Sequence, residues 1–73
     1  MDIREAMIKA LRKKYEAVIE EAKATVEVYL HRPVGIGEHP QFIEELDKLM
    51  SKIAEAEDKL TVVNQRFDED IPF

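Results

Sequence analysis

This 73-residue chain has no cysteine, no tryptophan, two glycines and three prolines. Without cysteine it can form no disulfide and offers no thiolate to a metal, a composition that suits a reducing compartment. No apolar run approaches the roughly 20 residues of a membrane span. The opening Met1-Asp2-Ile3-Arg4-Glu5 lacks the basic-then-apolar order of a signal peptide. The expectation is a soluble protein of the cytoplasm, without membrane contact. Basic excess is missing too: the formal charge of -5 argues against general nucleic-acid binding, which depends on Lys and Arg neutralising phosphates. A chain this short forms one domain with a small core, and at that size stability usually calls for a staple, a metal or a partner.

Constellations for chemistry are absent as well. The single serine, Ser51, falls among charged residues in a helical pattern, and no nucleophile stands with a base. We expect no enzyme, no catalytic residue and no cofactor. His31, Glu38 and His39 lie close together, but their spacing matches no zinc pattern, so no metal site is expected.

What the sequence does contain is two long charged segments, split by His31-Arg32-Pro33-Val34-Gly35-Ile36-Gly37-Glu38-His39-Pro40. Both glycines and two of the prolines fall in this stretch. Proline cannot continue a helix from the preceding turn, and glycine reaches backbone angles that other residues avoid. The spacing predicts an all-α fold: a helix over about 3–31, a loop over 32–39, a helix over about 40–67 and an acidic tail over 68–73. A short connection makes the two helices an antiparallel hairpin.

In the first segment, Asp2 and Glu5 fit a capping box. Ile8, Leu11, Tyr15, Val18, Ala22 and Tyr29 repeat at three-and-four spacing, with Thr25 in the gap and Ile19, Val26 and Leu30 widening the stripe. Ala6, Ala10, Ala17, Ala24 and Val28 form a second line of small residues. They suit either simple helix formation or a close seam between subunits. In the second segment Pro40 suits the first helical position. Phe42, Leu46, Leu49, Ile53, Ala56, Leu60, Val63 and Phe67 then follow an unbroken heptad rhythm, the pattern of a coiled-coil seam. One-turn pairs are expected between Glu5 and Lys9, Lys23 and Glu27, Glu44 and Lys48, and Glu55 and Lys59. Two helices leave much of this apolar surface wet, so self-association into a homo-oligomeric bundle is expected.

Two features remain. The tail carries Asp68, Glu69 and Asp70 ahead of Ile71 and Phe73. Residues 1–14 carry five basic side chains against two acidic ones, a balance of +3. Antiparallel packing sets these opposite charges at one end, where they attract within the hairpin or between subunits. At the other end, the start of the second helix offers free amides, and His31, Arg32 and His39 add positive charge around a turn shaped by Gly35 and Gly37. A small anionic ligand or nucleotide could bind there. Glu38 opposes this, and these residue types also suit a plain turn in which Val34 and Ile36 cover the end of the core.

The run Val26-Glu27-Val28-Tyr29-Leu30, two residues, then Pro33-Val34-Gly35-Ile36-Gly37-Glu38-His39-Pro40, resembles small uncharacterised proteins of tailed bacteriophages. In these a second acidic helix follows, with a stretch like Ala56-Glu57-Asp58-Lys59-Leu60. The likeness covers roughly residues 11–63. It implies a viral accessory protein acting in the host cell cytoplasm, on a host or viral protein partner, or a minor component of the virion. It carries over no catalytic residue.

Overall fold

A computed structural model describes residues 2–31 and 41–67. They form two helices and, among the described residues, no strand: α1, Ile3–His31, and α2, Gln41–Arg66. Asp2 caps α1. Its side-chain Oδ1 accepts from the amide of Arg4 at 2.7 Å, and its carbonyl accepts the first helical bond, from Ala6. The sequence pointed to the Glu5 amide instead. A short carboxylate at a helix start can reach either the second or the third amide, and here it takes the second. Pro40, expected at the head of the second helix, lies outside the described residues.

The helices run antiparallel. Arg4 and Arg12, early in α1, bond to Phe67 and Asn64 at the end of α2, whereas Tyr29, late in α1, stacks on Phe42 at its start. The result is a slender body of 52 × 21 × 14 Å with a radius of gyration of 16.5 Å. A compact domain of this length would have about 11 Å.

Packing along the pair is shallow. The buried residues are Ala22 and Val26 on α1 and Ala56 and Val63 on α2. No large side chain is fully buried among the described residues. On α2, Phe42, Leu46, Leu49, Ile53 and Leu60 are half-buried beside these, while Phe67 stays 47% exposed just past the helix. On α1, Ile8, Tyr15, Val18 and Tyr29 are half-buried, and Leu11 is 38% exposed. Arg12, Ile19 and Val26 lie deeper than the spacing suggested, so the seam leans toward that side of α1. Leu30, read as widening the stripe, is 56% exposed.

Surface charge adds little. Lys59 pairs with Glu55 at 3.5 Å, as the spacing suggested. Lys48 takes Glu45 rather than Glu44, and Lys23 takes Glu20 while Glu27 lies against His31. Exposed pairs of this kind contribute about 0.3–0.5 kcal/mol each.

Candidate functional site

The hairpin has a loop end, an open end and one shared face on which both are marked by a groove. At the loop end, His31 closes α1. Its Nδ1 lies 2.8 Å from the Glu27 carbonyl and 3.2 Å from the Glu27 carboxylate, so its ring is held on its own last turn. Arg32, Gly35, Gly37, Glu38 and His39 lie outside the described residues. Among the described residues no three His, Asp or Glu side chains group to hold a metal ion. No helix of the described residues is long and apolar enough to cross a membrane.

Near the loop end a groove of about 380 Å³ runs between the helices, lined on α1 by Glu21, Ala22, Thr25 and Tyr29. Its α2 wall is Glu45, Lys48, Leu49 and Lys52. Lys48 pairs with Glu45 at 3.3 Å, and the Thr25 hydroxyl donates to the Glu21 carbonyl at 3.0 Å within its own helix. This groove is charged at its rim and has an aromatic end, where the Tyr29 and Phe42 ring centroids stand 5.8 Å apart.

At the open end a groove of about 390 Å³ is lined by Ile8, Leu11 and Tyr15 of α1 and, across it, Val62, Val63 and Phe67. Asp58 and Lys59 complete its wall. The Lys59 ammonium stands 5.9 Å from the centre of the Tyr15 ring, at the reach of a cation–π contact, with its other side toward Glu55. Beside it, Met7, Ala10, Leu11 and Lys14 frame a shallow depression on α1. Two cross-ties hold this end together. The Arg12 Nε donates to the Asn64 side-chain oxygen at 2.8 Å, and an Arg4 guanidinium nitrogen donates to the Phe67 carbonyl at 3.1 Å. The second tie sets a positive charge at the negative end of the α2 dipole.

A third feature is the side of α1 turned away from α2. Ile3, Met7, Ala10, Ala17, Ala24 and Val28 are all exposed there, with Ile3 at 74%, Met7 at 63% and Val28 at 55%. They fall at spacings of 4, 3, 7, 7 and 4 on one side of the helix, with the charged Lys13, Lys14, Glu20 and Glu21 between them. The line of small residues seen in the sequence started at Ala6, but Ala6 is half-buried and Met7 takes its place outside.

Sequence reading missed the two arginine ties. Charged side chains in a helical pattern are ordinarily assigned to solvent, and the only signal was that Arg12 holds a seam position one heptad before Ile19. Comparison with protein families, curated proteins and solved structures finds no match for this chain.

Proposed function

We propose that this chain is a non-enzymatic helical hairpin that self-associates into a bundle and works by binding a protein partner. The observation that carries this reading is surface in excess of core. The accessible surface is 5906 Å². A compact folded chain of its mass would expose about 4,700 Å². Among the described residues only Ala22, Val26, Ala56 and Val63 are buried, whereas Ile3, Met7, Val28, Leu30, Ile43 and Met50 stay exposed, so apolar surface is left for a partner. The outward stripe of α1 is where a second copy would seat, since it places apolar side chains at helical spacing along most of the molecule's length. The setting proposed with it, on the resemblance of residues 26–40 to small bacteriophage proteins alone, is an infected bacterium, as an accessory protein in the host cytoplasm or as a minor virion component.

Sedimentation velocity across a dilution series tests the association. The expected outcome is an oligomer at micromolar concentration whose helicity falls as it dissociates. A fully helical monomer at that concentration overturns the proposal.

A second reading is favoured by one observation at the loop end. α2 begins at Gln41, so the free amides at the head of a 26-residue helix come directly after, in sequence, the stretch that carries Arg32 and His39. In an oligomer whose loop ends meet, those amides and cations would form a sponge for a small anionic or nucleotide ligand. Thermal-shift screening with nucleotides is expected to give a stabilised chain that Arg32→Ala or His39→Ala returns to its unliganded midpoint. No shift with any anionic ligand removes this reading and leaves the first untouched.

A further inference from the structure

The open-end groove is apolar, is left open by the described residues, and adjoins Phe67, after which residues 68–73 lie outside the described residues. We propose that the six residues after Phe67, Asp68-Glu69-Asp70-Ile71-Pro72-Phe73, dock back into this groove on the same molecule. Three observations converge on that occupant.

The first is reach. Phe67 itself lines the groove and is tied by its carbonyl to Arg4. From the level of Arg4 the groove ends at Tyr15, eleven residues on, or about 16 Å along the helix. Six extended residues span about 20 Å. The loop-end groove starts at the level of Glu21 and Ala22, about 25 Å away on the same scale, and lies beyond that reach.

The second is apolar fit. Ile71 and Phe73 are the apolar residues of the segment beside Pro72, and proline holds the residue before it extended. An extended pair sends Ile71 and Phe73, two positions apart, to the same side. That side meets Ile8, Leu11, Tyr15 and Val62.

The third is charge. Asp68, Glu69 and Asp70 bring three negative charges to the end where residues 1–14 carry a net +3, five basic against two acidic. Lys14 borders the depression beside the groove and is exposed. Asp58 on the α2 wall repels an acidic segment, so the acids are placed over α1 rather than over α2. The loop-end groove, with Glu21 and Glu45 at its rim, would repel the same segment.

This proposal stands apart from self-association and is tested separately. Amide spectra of the full chain are compared with those of an Ile71→Ser, Phe73→Ser double variant, whose substitutions lie outside both helices. The variant is expected to shift the peaks of residues 7–15 and 59–67 and to leave residues 21–29 and 45–52 in place. The same difference is expected at every chain concentration at which circular dichroism shows the helices intact. Unchanged peaks over residues 7–15 overturn the proposal. A difference that fades on dilution while helicity holds overturns it too, because the occupant is then the tail of a second copy.

Discussion

The two grooves of this hairpin are the same construction filled with different side chains. Moving fourteen residues along α1 carries Ile8 to Ala22, Leu11 to Thr25 and Tyr15 to Tyr29. Moving fourteen back along α2 carries Lys59 to Glu45, Val62 to Lys48 and Val63 to Leu49. Fourteen residues are two heptads, the interval at which a coiled-coil-like pair presents the same face again. Each groove therefore has a tyrosine at one end and a small or branched floor. The chemistry differs where the rim faces water. Leu11 and Val62 are 38% and 40% exposed at the open end, and their counterparts Thr25 and Lys48 make the loop end polar. The backbone repeat fixes that grooves exist; the rim residues, Leu11 and Val62 against Thr25 and Lys48 and the charges of Glu21 and Glu45, decide what each can receive.

The equivalence can be broken first at the tyrosines. Both are half-buried, Tyr29 against Phe42 and Tyr15 beneath Lys59. Tyr15→Ala and Tyr29→Ala are each expected to cost about 2 kcal/mol, roughly half the loss for a fully buried aromatic. At this chain length that lowers the thermal midpoint by about 8–16 °C, read by circular dichroism at one fixed chain concentration. Costs that differ several-fold would show that the two grooves are not structural equivalents.

Exchanging the rims is the next test. Thr25→Leu with Lys48→Val gives the loop-end groove the chemistry of the open end. It should raise stability by about 1 kcal/mol through added apolar contact, since each additional buried methylene contributes about 0.8 kcal/mol. The increase is partial because both sites stay half in solvent. The converse, Leu11→Thr with Val62→Lys, should lower stability by a similar amount in the same denaturant titration. If both exchanges destabilise, the rims are tuned to their own ends by contacts beyond those named above.

The smallest expected effect is at the Glu55–Lys59 pair beside the open-end groove. Glu55→Gln should change stability by about 0.3–0.5 kcal/mol, and the difference should vanish in high salt. An effect that persists in salt would mean that Glu55 acts by positioning Lys59 over Tyr15 rather than by charge.

The α2 side of this architecture is legible in the sequence because one stripe dominates it. Phe42, Leu46, Leu49, Ile53, Ala56, Leu60 and Val63 stand at heptad spacing, and each is buried or half-buried. α1 is harder to read. Ile8, Tyr15, Ala22 and Tyr29 fix a line, but either Leu11, Val18 and Thr25 or Arg12, Ile19 and Val26 can complete it. Hydropathy at position 11 favours the first set. The structure leans to the second, with Val26 among the most buried residues and the Arg12 guanidinium engaged with Asn64. A pattern of apolar residues does not register that an arginine can lay its stem along a seam and bond at the far side. The grooves themselves could not be seen in one helix at a time, because each exists only where two helices face each other. The loop residues singled out for a ligand, Arg32, Gly35, Gly37 and His39, lie outside the described residues, and their reading rests on the sequence alone.

The shortest dimension of the molecule is 14 Å, little more than one helix with its side chains at about 10–12 Å. The hairpin is thus a ribbon with two faces and little interior beyond Ala22, Val26, Ala56 and Val63. In a thicker domain, folding free energy is stored in residues that solvent never meets, and it is nearly independent of how much protein is present. In a ribbon, whatever covers a face supplies that missing interior. Cover by another molecule adds stability in proportion to the logarithm of its free concentration over the dissociation constant. Abundance then becomes a thermodynamic variable of the fold, and a cell that makes more of the covering molecule also makes each hairpin harder to unfold.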